Sequence, residues 1–205
     1  VPGGYAERAV TLREVLRIAG SIDGIDGVEI IHSQLEGMDR GDFKGWLDEV
    51  GLKLTGILVN TFGDRKYKLG SISHADRKIR QDAIDLCKKS VDMAVELDCP
   101  VVVLWLGSDG YDCSFQVDYR DQRNTMRESI TEIARYNRDT KICLEYKLKD
   151  PRKYMTIGAV GKALYLAQAC GRPWFRSMQE THRWWFGTPC STTRAQIRGG
   201  SAHHG

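Results

Sequence analysis

One run of seven residues, Pro100-Val-Val-Val-Leu-Trp-Leu106, constrains the fold more than any other part of the chain. It is too short for a globular helix and apolar on both faces, which suits a strand of a parallel sheet covered on either side. The segments around it alternate in kind. Thr11-Leu-Arg-Glu offers a capping box, and Leu12, Val15, Leu16 and Ile18 follow at helical spacing, predicting a first helix to about Ala19. Gly27 to His32 reads as a short strand after a turn-rich stretch, residues 42–50 as a helix with Phe43, Trp46, Leu47 and Val50 on one face, and Leu52 to Asn60 as the next strand. A polar loop from Thr61 to Ser73 leads to a long helix from about His74 to Leu97, with Ile79, Ala83, Ile84, Cys87, Val91 and Ala94 recurring every three to four residues. After the apolar strand, a loop over 107–117 precedes a helix from about Arg120 to Tyr136. Lys141 to Tyr146 forms a fourth strand, Pro151 breaks the chain, and Gly158 to Cys170 closes with a helix.

Strand, loop and helix thus repeat, with the long loops at the carboxyl ends of the strands, which is the pattern of parallel α/β units. A doubly wound sheet would normally carry a Gly-x-Gly-x-x-Gly phosphate turn, and none is present. An eight-unit barrel takes about 200–250 residues. Four strands are about half of one, so the fold class expected is α/β, a partial (β/α)8 barrel.

Composition agrees with one soluble domain: 205 residues, 41% hydrophobic, 28% charged and 5 Pro exclude disordered and collagen-like classes. No apolar run approaches the roughly 18–20 residues of a membrane span, and the stretch from Val1 lacks a basic segment followed by an apolar one. Neither a membrane partner nor a targeting segment is expected. The six cysteines form no Cys-x-x-Cys pair, which suits reduced thiols in a cytoplasm.

The net charge of +3 hides a break. Residues 172–205 carry five Arg against one acid, Glu180, and contain no Leu, Val, Asp or Lys, yet hold Trp174, Trp184 and Trp185. Interleaved Arg and Trp suit a nucleic-acid arm. The absence of any structural period points instead to an atypical tail outside the fold, disordered, out-of-frame or artefactual, and no nucleic-acid partner is expected. Cys190, His203 and His204 fit no zinc spacing.

In parallel α/β folds chemistry gathers where strands end. His32 ends the first strand, Asn60-Thr61-Phe62 the second, Trp105 the third and Glu145-Tyr146-Lys147 the fourth. Glu145 and Lys147 stand two apart, so on a strand they share a face. They read either as a carboxylate for a divalent cation beside an ammonium that polarises a substrate oxygen, or as a structural ion pair. Trp105 is core or substrate wall, and His32 hydrogen-bonded scaffolding or a functional group.

Leu144-Glu-Tyr-Lys-Leu-Lys-Asp-Pro151 resembles the Glu-x-Lys-x-x-Glu-Pro signature of the xylose isomerase family, and Leu104-Trp-Leu-Gly-Ser-Asp-Gly110 resembles its Trp-Gly-Gly-Arg-Glu-Gly turn. Between them, Asn60-Thr-Phe-Gly-Asp and the run from Lys68 to Arg80 are similar to that family's loop and helix start after strand three, and to L-rhamnose isomerases. The likeness covers about residues 20–171, so residues 1–171 are expected to form a partial xylose isomerase-like TIM barrel.

The resemblance implies an aldose–ketose isomerase of carbohydrate metabolism, with a small-molecule sugar as partner and two divalent cations, Mg²⁺, Mn²⁺ or Co²⁺, at the barrel mouth. By motif, Glu145 would be a metal ligand, and Lys147 would stabilise charge on the sugar's carbonyl-end oxygen. Trp105 would be an apolar wall that excludes water. His32 falls near the family's ring-opening histidine, and Asn60 and Phe62 fall among its pocket residues. A hydride shift and a carboxylate-driven enediol route both remain open.

The family's first strand would precede Val1, and its other metal ligands would follow residue 171. With Glu145 alone, tight cation binding is not expected, because hard cations take about six oxygen ligands. The chain is therefore expected to be a truncated, inactive fragment with exposed sheet edges, and the full-length parent a homo-oligomer. A sugar epimerase or dehydratase-like barrel and a non-catalytic binding module are the alternatives. A DNA-repair endonuclease on this barrel would want a histidine-rich, three-zinc mouth.

Overall fold

The computed structural model describes residues 10–150, 153–170 and 176–179. Helix α1 (Leu12–Gly20) starts on the expected capping box: the Glu14 amide donates to Thr11 Oγ1 at 3.3 Å, and the Thr11 amide donates to the Glu14 carboxylate at 2.8 Å. Strand β1 (Gly27–Ile31) follows. A Cβ on Gly27 would lie 2.5 Å from Thr55 Cγ2, so only glycine lets the two strands approach there. Helix α2 (Arg40–Val50) is capped by Asp39 and stops on Gly51, which takes the left-handed conformation at φ +70°.

Strand β2 (Lys53–Asn60) leads through a crossing to helix α3 (Arg77–Glu96). This helix begins after the expected His74 because Asp76, its cap, accepts from the Lys78 amide at 2.7 Å. Then come β3 (Val101–Trp105), the two-residue β4 (Gly110–Tyr111) and helix α4 (Tyr119–Tyr136). Strand β5 (Lys141–Tyr146), the short β6 (Lys149–Asp150) and β7 (Lys153–Met155), helix α5 (Val160–Ala169) and β8 (Arg176–Gln179) complete the order.

Five strands form one parallel sheet in the order β1-β2-β3-β5-β8. Sequence reading foresees four of them. The fifth, β8, lies within the stretch set apart as a tail and pairs in parallel with β5, Leu144 opposite Ser177, so the sheet runs past residue 171. A second, antiparallel sheet in the order β4-β7-β6 joins two of the loops at the carboxyl ends, where no sheet was foreseen.

The core lies between the parallel sheet and the helices. Ile57, Val59, Val102, Leu104, Ile142 and Leu144 project toward a helical layer that buries Leu16, Phe43, Ile84, Val91, Met126 and Ile130. Val103, on the other face of β3, is also fully buried, so β3 is covered on both sides as its apolar run implies. Among the described residues no helix is long and apolar enough to cross a membrane.

Candidate functional site

Register assembles the site. In the parallel sheet Asn60 pairs with Trp105, and Trp105 with Glu145, so the ends of three successive strands align in one row. Paired residues of a parallel sheet face the same side, and residues two further on return to that side. Phe62 and Lys147 hold those positions beyond Asn60 and Glu145. Their contacts agree: the Phe62 ring centroid is 5.4 Å from that of Trp105, and Lys147 Nζ lies 5.6 Å from the Trp105 ring. The indole is thus the hub of the mouth, with a ring on one side and an ammonium over it. Glu145 is buried beside it, at 8% exposure.

Asn60 has a local task. Its Oδ1 accepts the Phe62 amide at 2.8 Å, turning the chain out of β2 and aiming Phe62 at Trp105. Thr61, next to it, is 1% exposed, and its hydroxyl has no hydrogen-bond partner. Trp105 Nε1 is buried without one as well. By the same alternation Thr61 turns away from the Trp105 side, so the unpartnered indole N–H is the atom of the row that suits a hydrogen bond to a polar ligand.

His32 does not end β1. It opens a single 3₁₀ turn (His32–Gln34), closed by the Leu35 amide donating to its carbonyl at 3.0 Å. His32 is 5% exposed, with Nε2 4.0 Å from the Glu36 carboxylate. Burial lowers its pKa from the ordinary histidine value, against the opposing pulls of Glu36 and the Leu58 backbone. The neighbours that perturb it are Glu36, four residues on past the 3₁₀ turn, and Leu58 of β2, rather than Trp105 or Lys147.

The resemblance implies divalent cations, which sets a test for these side chains. Among the described residues no three His, Cys, Asp or Glu side chains gather as a metal would need. Glu145's neighbours in register are Trp105 and Met178, neither of them a second carboxylate. The described residues therefore do not by themselves fit a hard cation's oxygen shell.

Asp109 stands in the strand-end motif Leu104–Gly110, yet sequence reading gives it no role. It is fully buried, and its carboxylate accepts the Ser71 amide at 3.0 Å, the Ser73 amide at 2.8 Å and the Ser73 hydroxyl at 2.6 Å, along with the Ser71 hydroxyl. Lys153 performs the converse, donating to the carbonyls of Lys68 at 2.8 Å and Ser108 at 3.1 Å. The Cys87 thiol is pushed up to about 12, first by its complete burial and then by the charge of Asp109. The one available signal is the spacing Ser71-Ile-Ser73, two hydroxyls flanking a fully buried isoleucine. A separate open groove of about 550 Å³, lined by Lys88, Arg127, Arg135 and Tyr136 among others, lies on the outer helices and shares no residue with the mouth.

With the geometry in hand, the chain can be set beside known proteins. A family model described as xylose isomerase-like TIM barrel matches residues 16–187. A xylose isomerase of Thermus thermophilus is 29% identical over 135 residues, which is 64% of this chain and 35% of the relative. The crystal structure of D-psicose 3-epimerase with D-tagatose from Clostridium cellulolyticum superposes with a TM-score of 0.67 at 16% identity, over 83% of this chain and 58% of that one. An L-ribulose 3-epimerase structure gives 0.67 at 16%, over 83% and 56%. The chain thus spans about a third of its curated relative and somewhat over half of these structures. The match to the family model runs from within α1 through β8, and on it the chain belongs to the xylose isomerase-like TIM-barrel family.

Proposed function

We propose that this chain forms the mouth of a sugar-converting barrel whose parent enzyme is an aldose–ketose isomerase. The observation that carries the reading is the aligned row Asn60–Trp105–Glu145, with Phe62 and Lys147 closing on the indole. A sugar offers a hydroxyl to the unpartnered Trp105 Nε1 and an apolar ring face to Phe62 and Trp105. Lys147 donates to the carbonyl-end oxygen and stabilises charge developing there. The indole and Phe62 keep water from the reacting carbons. Glu145 would be one carboxylate toward Mg²⁺, Mn²⁺ or Co²⁺, and among the described residues no three His, Cys, Asp or Glu side chains gather to complete a site. His32 assists by scaffolding the end of β1.

Because no three metal-ligating side chains gather among the described residues, we expect the chain to bind sugar without turning it over. The test is incubation of the purified chain with D-xylose and with D-fructose, products followed by NMR. Turnover abolished both by chelator and by Glu145→Gln would overturn the inactivity. A second reading, a 3-epimerase, draws on the D-psicose and L-ribulose epimerase structures that share the fold. Exchange of a sugar carbon-bound hydrogen with solvent D₂O by the parent enzyme favours its enediol chemistry, and retention favours the hydride shift. Metal-independent sugar binding that survives loss of both Glu145 and Lys147 would favour a non-catalytic module.

A further inference from the structure

Three crossings leave the carboxyl ends of β2, β3 and β5, and the described structure ties them at one point. Asp109, on the β3 crossing, receives four donors from Ser71 and Ser73 on the β2 crossing. Its own carbonyl accepts the Thr156 amide of the β5 crossing at 2.9 Å. Ser129 of α4 donates to the Ile72 carbonyl at 2.7 Å, so every residue from Ser71 to Ser73 is held. Lys153 adds the Lys68 and Ser108 carbonyls. The joint is dry: Ser71, Ile72 and Asp109 are fully buried, and Ser108 is nearly so.

A buried carboxylate that gathers two amides and two hydroxyls is far more than a turn requires. Its effect reaches the mouth through the chain itself. The β2 crossing leaves the sheet at Asn60, passes Phe62 against Trp105, and is caught again at Ser71. With both ends pinned, the excursion that carries Phe62 is shortened and its freedom reduced.

We propose that Asp109 is a positioning residue of the mouth: by gathering Ser71 and Ser73 it holds Phe62 on Trp105 and so fixes the rim of the sugar-binding cavity. Lys153 serves the same joint from the opposite charge. The proposal rests on the sugar-site reading for what the rim encloses.

The test uses the full chain and two variants. Asp109→Asn removes the charge and one acceptor, while Ser71→Ala/Ser73→Ala removes only the hydroxyls and leaves both amides on Asp109, so it keeps the question open if the first variant fails to fold. Hydrogen exchange by mass spectrometry is read across the chain. Exchange of residues 61–73 is expected to rise at least tenfold in Asp109→Asn and by less in the serine pair, with β2, β3 and α2 changed less than twofold. Unchanged protection of 61–73, or a loss spread evenly over all elements, would overturn the joint. In a second arm D-fructose is titrated, and the serine pair is expected to bind at least fivefold more weakly than the unaltered chain. Equal affinity beside a loosened 61–73 segment would overturn the positioning role. If the unaltered chain takes up neither D-fructose nor D-xylose, the sugar reading fails and the rim has no cavity to fix, while the exchange data still decide whether Asp109 makes the joint.

Discussion

Gly110→Ala offers a stringent check of how the mouth is built. Gly110 pairs with Met155 across the β4–β7 contact, and a Cβ placed on it would lie 2.1 Å from the Tyr154 carbonyl oxygen. An ordinary carbon–oxygen contact is over 3 Å, so one strand must retreat by about 1 Å. The obstruction is backbone, not a flexible side-chain end, and no rotamer relieves it. Retreat strains the adjoining hydrogen bonds, among them Thr156 to Asp109 at 2.9 Å and Gln122 to Gly110 at 3.4 Å. Overpacking of this kind costs about 1–3 kcal/mol, and each hydrogen bond lost adds roughly 0.5–1.5. The expected loss is therefore about 2–4 kcal/mol, which for a domain of this size lowers Tm by roughly 5–15 °C. Urea unfolding followed by far-ultraviolet circular dichroism measures it. A stability change below about 0.5 kcal/mol, the range of an innocuous surface substitution, would refute the close approach of β4 and β7.

Leu104→Ala, in the fully buried helix-facing side of β3, is expected to cost about 2–5 kcal/mol by the same denaturation assay. The lowered pKa of His32 means the unfolded chain takes up its proton first as pH falls. Its contribution to stability is thus full above the unfolded histidine value of about 6.5 and is lost on acidification through the lower folded value. His32→Gln should flatten stability between pH 7.5 and 5 relative to the unaltered chain, and an unchanged pH slope would contradict the burial of a neutral ring. Lys147→Met should weaken sugar binding at least fivefold in calorimetric titration while leaving unfolding within about 1 kcal/mol, the small stability contribution expected of an exposed or half-exposed cation–π contact.

The legible parts of the fold are those where local chemistry and tertiary need coincide. Thr11 with Glu14 caps α1 where the motif predicts, and the buried residues of α3 follow the spacing that predicts it, whereas the caps Asp39, Asp76 and Asp118 set starts that sequence reading misses by one to three residues. β3 is apolar on both faces and covered on both. The strands that escaped notice lack such signals. β4, β6 and β7 are two or three residues long, too short to display alternation, and exist because Gly110 admits the Tyr154 backbone. β8, Arg-Ser-Met-Gln, carries no apolar run, and its signature is a backbone register with β5.

The site divides in the same way. Trp105, Glu145 and Lys147 are visible because strand ends and a two-residue spacing suffice to place them on one side. Asn60 looked like a pocket residue, and its recorded bond is the local turn that aims Phe62. His32 continues a β-branched run, and the 3₁₀ turn after Ile31 depends on Gln34 reaching back to the Ile31 amide at 3.3 Å. Asp109 is visible in the motif after β3, but its task is not, because its partners lie 36 and 38 residues earlier in the chain and only the spacing Ser71-Ile-Ser73 marks them.

The most direct test of the central claim watches the Trp105 indole N–H by two-dimensional NMR, its cross-peak assigned by its disappearance in Trp105→Phe. In the mouth described here this donor is buried without an acceptor, and a sugar hydroxyl would supply one. Addition of D-xylose or D-fructose should shift that cross-peak saturably, with weaker affinity in Lys147→Met. A cross-peak that stays in place at high sugar concentration, or shifts identically in the Lys147 variant, would contradict the assignment of this mouth as a sugar site.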